Sequence, residues 1–271
     1  MIKDSLIKSK RKSVPRFTSV MWDDIAPNSS KGKNHNASFP LKMAETLIKI
    51  YSEAGDTVLD PFSGSGTTLE ACKRLSRNAI GVDINQRYYK LSQAVADQSR
   101  FEGFTSNIKA FHGDSRNLRL FGLEDSSIDF ILTSPPFWDA VHNGEDQDDL
   151  ANISDYGDFL TSLSISIKEM YRVIKRDRCV AIVLEGIGRH RKEYGYIHLP
   201  LHVLMIAEMV GFTAHDEIIW HSKFKTNKGK PLGSPNAPYC RTVHENILIL
   251  NKRIPQRTPK IKWDKIKNAI N

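Results

Sequence analysis

Cysteine is scarce in this sequence, and the few cysteines are not arranged as metal ligands or bridges. Cys72, Cys179 and Cys240 lie far apart and show no CxxC spacing. This pattern argues against a disulfide framework and against a zinc site, and we expect no metal centre. Because scattered cysteines are typical of a reducing compartment, the sequence predicts a cytoplasmic protein.

Long apolar runs are also lacking. No stretch approaches the roughly 18–20 apolar residues that a membrane-spanning helix needs. The basic N-terminus has no apolar segment of the kind found in secretory signals. With 40% hydrophobic and 26% charged residues, the composition is that of a globular protein, and 271 residues suffice for one large domain or two small ones.

Negative charge is in the minority, and the excess positive charge is concentrated in short runs. The formal net charge is +8. Basic residues cluster near residues 8–16, 189–192, 223–230 and 252–267. Such runs are typical of proteins that bind a polyanion, of which the nucleic-acid phosphate backbone is the commonest. A solvated basic surface is the alternative interpretation of any single run.

Apolar segments of strand length alternate with segments of helical period along most of the chain. The strand-like segments are residues 57–60, 79–83, 108–111, 128–132, 179–184, 217–220 and 246–250. This alternation predicts an α/β fold with a mainly parallel sheet of about seven strands. We expect one domain at 35–252, a basic arm at 1–34 and a basic tail at 253–271. The long acidic loop at 139–156 is typical of a lid or a disordered segment.

A glycine-containing turn joins the first predicted strand, Thr57–Asp60, to the helix that follows it. Gly64 and Gly66 allow the backbone to approach a ligand closely. The third glycine of a dinucleotide fingerprint would fall at Leu69, so a bound pyrophosphate is disfavoured. The turn has no GK[ST] sequence either, which excludes a P-loop.

Aspartates follow three successive predicted strands: Asp60, Asp83 and Asp114. In an open α/β sheet, ligands bind at the carboxyl ends of the strands. A ligand with an amine and a ribose would use all three, with Asp60 at a cationic amino group, Asp83 at two ribose hydroxyls and Asp114 at an adenine amine. The alternative is that each aspartate caps the helix after it.

The segment Thr133-Ser-Pro-Pro-Phe-Trp138 follows a buried strand and ends it abruptly. Two prolines fix the backbone and cannot continue the strand. A serine hydroxyl, rigid carbonyls and an aromatic ring together suit a flat ligand with an amino substituent. The alternative is a strand ended by prolines, with an aromatic residue packed under a loop. Trp138 is compatible with either stacking on a ligand or packing beneath the acidic loop.

Residues 60–68 and 133–137 together resemble the amino-group DNA methyltransferases that use S-adenosylmethionine. The resemblance covers about residues 35–252. It implies a class I methyltransferase fold, Rossmann-like, whose last strand runs antiparallel. It also implies S-adenosylmethionine as the cofactor and double-stranded DNA as the substrate.

The resemblance further implies which residues act. The catalytic residues would be Ser134, Pro135, Pro136 and Phe137. The cofactor-binding residues would be Phe39, Pro40, Asp60, Phe62, Gly64, Gly66, Thr67, Asp83 and Asp114. Ser134 Oγ and the Pro135 carbonyl would accept hydrogen bonds from the exocyclic amine of a flipped-out base, on which Phe137 would stack. Such a transfer needs no cysteine nucleophile.

The predicted cofactor-binding segment, residues 60–68, precedes the predicted catalytic segment, residues 133–137. This order is similar to the gamma-type arrangement of the family. That arrangement usually places a target-recognition domain after the last strand, where here only about 20 residues follow. We therefore expect recognition loops at about 185–197 and 221–241. The expected DNA-binding residues are Arg189, Arg191, Lys192, Lys223, Lys225, Lys228, Lys230 and Arg241.

The target base depends on position 134. Serine there, where many adenine-specific members of the family have Asp or Asn, suggests cytosine methylated at its exocyclic N(4). We expect an enzyme of a restriction–modification system, with a cognate restriction endonuclease as a partner. The alternatives are adenine N(6) methylation, methylation of structured RNA, a non-catalytic nucleic-acid-binding protein on this fold, and a dinucleotide-dependent oxidoreductase.

Overall fold

A mixed sheet of eight strands forms the centre of the part of the chain that the structure describes. The structure, a computed structural model, describes residues 21–22, 25, 39–101, 105–138, 148–186, 196–221 and 244–253. The strands are β1 (Met21–Trp22), β2 (Thr57–Asp60), β3 (Asn78–Asp83), β4 (Ile108–His112), β5 (Phe130–Thr133), β6 (Cys179–Leu184), β7 (Thr213–His221) and β8 (His244–Asn251). The helices are α1 (Leu41–Tyr51), α2 (Thr67–Arg74), α3 (Gln86–Phe101), α4 (Tyr156–Val173) and α5 (Leu199–Val210), with 3₁₀ helices at Ser115–Phe121 and Leu150–Asn152.

The strands lie in the order β1-β7-β8-β6-β5-β2-β3-β4. Neighbouring strands are parallel except at β8, which runs antiparallel to both β6 and β7. The antiparallel last strand confirms what the family resemblance implied. The sequence predicted about seven strands. The additional strand is β1, whose two residues are too few to show a strand pattern and which pairs with the edge of β7.

The chain reverses its progress across the sheet between β2 and β5. From β2 it moves outward through β3 to β4, and it then returns to place β5 on the other side of β2. The carboxyl ends of β2 and β5 therefore flank a topological switch point, where open α/β sheets bind ligands. Asp60 ends β2 and Thr133 ends β5, so two of the predicted site segments begin here.

Helices cover both faces of the sheet, and each face has its own apolar core. One core includes Leu47 of α1 and residues of α2 and α3, and the other includes Leu163 of α4 and Val203 of α5. Adjacent residues Phe130 and Ile131 of β5 are both fully buried, one in each core. A strand covered on both faces needs apolar residues at every position, which explains the continuous apolar run before Thr133.

Pro40 lies at the N-cap of α1, where its carbonyl accepts the N–H groups of Met43 and Ala44 at 2.9 and 3.1 Å. One sequence prediction needs correction. The last part of the predicted acidic loop is packed structure, since the 3₁₀ helix Leu150–Asn152 buries Leu150 to 4% exposure against α4. Residues 139–147 of that loop lie outside the described residues.

Part of the predicted N-terminal arm belongs to the sheet. Trp22 of β1 is buried beside Ile25, whose carbonyl accepts the indole N–H of Trp220 at 3.0 Å. Trp22 thus attaches this segment to the domain. Residues 1–20 and the tail at 254–271 lie outside the described residues. None of the described helices combines the length and apolar character needed to cross a membrane.

Candidate active site

A cleft opens at the carboxyl ends of β2, β3, β4 and β5. Its empty space is about 1010 Å³, solvent at the mouth included, which leaves room for a nucleoside cofactor and a base together. The lining contains most of the predicted catalytic and cofactor-binding residues: Phe39, Asp60, Phe62, Gly64, Thr67, Asp83, Asp114, Ser134, Pro135, Pro136 and Phe137. The remaining two, Pro40 and Gly66, lie at the N-caps of α1 and α2.

Glycines shape the turn between β2 and α2. Gly64 and Gly66 adopt left-handed backbone conformations, with φ of 51° and 86°. A Cβ on Gly66 would lie 3.1 Å from the Cα of Ser92 in α3, so a larger residue would force the turn away from that helix. The N–H of Gly64 donates to Asp83 Oδ2 at 2.7 Å. The glycine turn therefore joins the end of β2 to the end of β3.

Asp60 is 2% exposed, and its carboxylate accepts hydrogen bonds from three groups. Oδ1 accepts from the N–H of Phe62 at 3.1 Å and from Thr133 Oγ1 at 2.7 Å, and Oδ2 accepts from Thr68 Oγ1 at 2.6 Å. Burial raises the pKa of Asp60 to about 6, although these hydrogen bonds oppose the shift. Asp60 thus ties β2 to α2 and to β5. The predicted contact with a cationic amino group stays a prediction.

Asp83 ends β3 and faces the cleft with its carboxylate bound to two backbone groups. Oδ1 accepts from the N–H of Asn85 at 2.9 Å, and Oδ2 accepts from Gly64. Each oxygen retains a second lone pair, which a ribose hydroxyl could use. Burial raises the pKa of Asp83 to about 6, and the charges of Asp60 and Asp149 add to the effect. The carboxylate is therefore mainly ionised at neutral pH.

Asp114 has its carboxylate paired with Arg116. The Arg116 backbone N–H donates to Oδ1 at 2.8 Å, while Nε and Nη2 lie 2.8 and 2.6 Å from Oδ2. The same guanidinium donates to the backbone carbonyl of Asp148 at 2.9 Å. The capping role that the sequence offered as an alternative is therefore present at Asp114, and its contact with adenine stays a prediction.

Residues 134–137 continue from β5 along the cleft. Thr133, which is fully buried, holds the start of this segment through its hydrogen bond to Asp60. Pro135 is buried, while Ser134, Pro136 and Phe137 are partly exposed in the lining. The segment therefore presents a hydroxyl, rigid carbonyls and an aromatic ring to one ligand-sized space.

Trp138 packs inward rather than outward. It is 2% exposed and meets Tyr156 edge to face, with ring centroids 5.1 Å apart. Its φ is 56°, a conformation that is rare for a bulky side chain. The structure thus favours packing over stacking for the ring that the sequence left undecided.

The cleft also contains residues that the sequence did not indicate. Among them are Ile84 and Tyr88, near the start of α3, and Asp149 and Leu150, before α4. Ile84 directly follows Asp83, so its place after a strand was a usable signal. The other three reach the cleft through tertiary packing, which no local pattern indicates. All the predicted DNA-binding side chains lie outside the described residues.

The charge of the cleft suits S-adenosylmethionine. The described residues of the lining include no Lys, Arg or His, whereas five are aspartates: Asp60, Asp83, Asp114, Asp148 and Asp149. Such a lining attracts a ligand whose sulfonium carries a positive charge. Ile84 and Tyr88 line the cleft together with Asp83 and add apolar surface to it. The residues present therefore fit this cofactor.

The sheet order, the antiparallel last strand and the switch-point cleft define the class I S-adenosylmethionine-dependent methyltransferase fold. A solved S-adenosylmethionine-dependent methyltransferase from Methanosarcina mazei has a similar structure, with a TM-score of 0.52 and 17% sequence identity. The match covers 77% of this chain and 98% of that one. At this identity the likeness shows the fold alone.

The chain belongs to the N6/N4 DNA methylase family, whose model matches residues 3–94 and 128–270. S-adenosylmethionine is the cofactor of this fold and family. The Type II methyltransferase M.BglI of Bacillus subtilis is 47% identical over 66 residues, 24% of this chain and 19% of that protein. M.HpaI of Haemophilus parainfluenzae is 45% identical over 74 residues, 27% and 23% of the two chains. The aligned part thus spans about a fifth of these relatives.

Proposed function

We propose that this chain transfers a methyl group from S-adenosylmethionine to the exocyclic N(4) of a cytosine flipped out of duplex DNA. The observation that carries the proposal is that residues 134–137 and the glycine turn line one cleft. A methyl donor and an acceptor base bound there would be neighbours. Membership of the DNA methylase family supports the class of reaction.

The carboxyl end of β3 and the start of α3 would hold the nucleoside part of the cofactor. Asp83 would accept hydrogen bonds from ribose hydroxyls, while Ile84 and Tyr88 would flank the adenine. The cofactor supplies an electrophilic methyl group on a positively charged sulfur. The aspartates of the lining favour that charge, which is lost with the methyl group. The same electrostatics would therefore help the product to leave.

Residues 134–137 would prepare the amine for methylation. The lone pair of an exocyclic amine is delocalised into the base, so the amine is a poor nucleophile. Hydrogen bonds from its two N–H groups to Ser134 Oγ and the Pro135 carbonyl would keep the nitrogen nearer to tetrahedral geometry and expose the lone pair. Phe137 would stack on the flipped base. The nitrogen would accept the methyl group as the bond from that carbon to sulfur breaks, and the methylated amine would then release one proton to solvent. The acceleration would come mainly from positioning and electrostatics.

The arrangement is rigid for identifiable reasons. Pro135 and Pro136 restrict their own φ angles, and the buried Thr133 is held by Asp60. Asp60 also accepts from Phe62 and from Thr68 in the glycine turn and α2. The Asp60 carboxylate therefore connects residues 133–137, which would hold the base, to the glycine turn, which would hold the cofactor. The separation of the two reacting groups would be maintained when DNA binds.

Cytosine is proposed as the target because position 134 is serine. We further propose duplex DNA as the substrate, bound through basic loops at 185–197 and 221–241, and a gamma-type order of segments. The net charge of +8 supports a polyanionic substrate. The relatives' names, Type II methyltransferase, support a role in restriction–modification with a cognate endonuclease.

Transfer of a labelled methyl group tests the proposal. The chain would be incubated with tritiated S-adenosylmethionine and mixed-sequence duplex DNA, and the hydrolysed nucleosides would be separated. We expect the label in N(4)-methyl-2′-deoxycytidine. Label in N(6)-methyl-2′-deoxyadenosine would retain the reaction class and overturn the base assignment. Absence of label in DNA, with label in structured RNA offered alongside, would overturn the substrate.

A further inference from the structure

The backbone at Trp138 is strained, and it lies directly after the proposed catalytic segment. Its φ of 56° is in the left-handed region, where the side chain of a bulky residue crowds its own backbone. Such strain persists only when surrounding packing holds the residue in place. The direction of the chain after Phe137 therefore depends on what holds the Trp138 ring.

Tyr156, at the start of α4, makes an aromatic contact with that ring. The two rings meet edge to face, with centroids 5.1 Å apart and an interplanar angle of 63°. Tyr156 also stacks on Phe159 one turn later, at a centroid distance of 6.1 Å. The Trp138 ring is thus held against a side chain whose plane is fixed by its own helix.

The hydroxyl of Tyr156 extends the contact to a second helix. Tyr156 Oη and His202 Nδ1 are hydrogen-bonded at 2.7 Å, and His202 lies in the first turn of α5. Burial raises the pKa of Tyr156 to about 12, so the phenol keeps its proton at neutral pH. A chain of contacts therefore runs from α5 through Tyr156 to Trp138 and Phe137.

The helix α5, at one end of this chain of contacts, lies close in sequence to a predicted recognition loop. The helix begins at Leu199, a few residues after the predicted recognition loop at 185–197. Its N-cap, His198, accepts the N–H of Leu201 at 3.1 Å, so the first turn that contains His202 is well formed. The hydrogen bond and the ring contact of Tyr156 therefore connect that turn to Trp138.

We propose that Tyr156 is a positioning residue for methyl transfer: its hydrogen bond to His202 fixes the Trp138 backbone and thereby the ring of Phe137 and the carbonyl of Pro135. The inference rests on the proposed function of residues 134–137. In this inference the hydroxyl of Tyr156 has a positioning role that is separate from the packing of its ring.

Tyr156→Phe tests this role because it keeps the ring and removes the hydroxyl. We expect kcat to fall about three- to tenfold, which is the change in rate that corresponds to the net free energy of one hydrogen bond. The Kd of S-adenosylmethionine should be unchanged. Amide hydrogen exchange of the peptide containing residues 133–138 should become faster. His202→Leu should have the same effects, and the double variant should lose no more than either single one, because both remove the same bond.

Tyr171→Phe is the matched control, since Tyr171 lies on the same helix and packs against Phe212 at 4.9 Å, away from the cleft lining. Wild-type kcat and exchange in Tyr156→Phe, equal to those of Tyr171→Phe, would overturn the inference. Additive losses in the double variant would also overturn it. If the wild type transfers no methyl group, the proposed function fails, and the exchange measurement still decides the inference.

Discussion

Ser134 and Phe137 are the residues on which the proposed chemistry depends most. Both line the cleft, and neither is assigned to the cofactor. Ser134→Ala should lower kcat about 10- to 100-fold, because one acceptor for the amine is lost, and Phe137→Ala should do the same by removing the stacking surface. Calorimetry should find the Kd of S-adenosylmethionine within about twofold of the wild type, since no cofactor contact is removed.

Ser127→Ala is the control for Ser134→Ala. Ser127 is partly exposed before β5, and its hydroxyl donates to the carbonyl of Glu124 at 2.7 Å. This variant should keep wild-type kcat. Full activity in either Ser134→Ala or Phe137→Ala would show that the catalytic residues are assigned wrongly.

Asp60 leads to a prediction about stability and pH. Folding raises its pKa from the ordinary 3.8 to about 6, so the folded state holds the proton more tightly than the unfolded state. As the pH rises from about 4 to above 6, ionisation of this buried group therefore costs stability. Asp60→Asn removes that cost, so the stability of the variant relative to the wild type should be higher at pH 7 than at pH 4, by up to about 3 kcal/mol in the free energy of unfolding.

Urea unfolding at the two pH values measures this difference, and Asp125→Asn supplies a control of opposite sign. Arg172 lowers the pKa of Asp125, so this aspartate contributes stability that is present at neutral pH and lost in acid. The stability of Asp125→Asn relative to the wild type should therefore be lower at pH 7 than at pH 4. An Asp60→Asn difference that is independent of pH would contradict the assignment of a raised pKa.

At the scale of elements, Arg116 joins the 3₁₀ helix Ser115–Phe121 to the segment that precedes α4. Its guanidinium bonds the Asp114 carboxylate and the Asp148 carbonyl, and it is 20% exposed. Arg116→Ala should lower the free energy of unfolding by about 1–2 kcal/mol, because it removes the guanidinium that donates to a half-buried carboxylate and to a backbone carbonyl.

Arg119→Ala, in the same 3₁₀ helix, is the matched comparison. Arg119 pairs with Asp125, and both side chains are more than half exposed, so its loss should cost less than about 0.5 kcal/mol. Chemical denaturation of the two variants gives both numbers. Equal losses would contradict the linking role of Arg116.

The elements differ in how far the sequence could predict them. Continuous apolar runs indicated β5 and β6, and the glycine turn after Thr57–Asp60 indicated a ligand site at a strand end. The hydrogen bond between Asp60 and Thr133 joins residues 73 positions apart, and no local pattern reports such a contact. β1 is held by its pairing with β7, and Leu150 by packing against α4, so neither follows from its own segment.

At the scale of the whole molecule, the excess of positive charge predicts how DNA binds. Charge reversal at Lys223, Lys225, Lys228 and Lys230 together should weaken binding to duplex DNA at least about tenfold at moderate salt, with a shallower dependence of log Kd on log salt concentration. Fluorescence anisotropy across a salt series measures both.

Reversal at Lys42, Lys49 and Lys90, exposed lysines of α1 and α3, is the control for this prediction. Charge reversal at these three lysines should change the Kd for DNA by less than reversal at the loop lysines does, because the three lie in helices outside the predicted recognition loops. Equal effects of the two sets would indicate that the loops contribute no more than general charge.

We propose that residues 134–137 hold the cytosine whose N(4) this protein methylates in DNA. Methylation-aware sequencing of a genome in which the chain is expressed, with the Ser134→Ala variant expressed in parallel, tests this proposal. We predict N(4)-methylcytosine at one short recurring sequence in the wild-type strain and its loss in the variant. An unmodified genome, or the same modification in both strains, would contradict the claim.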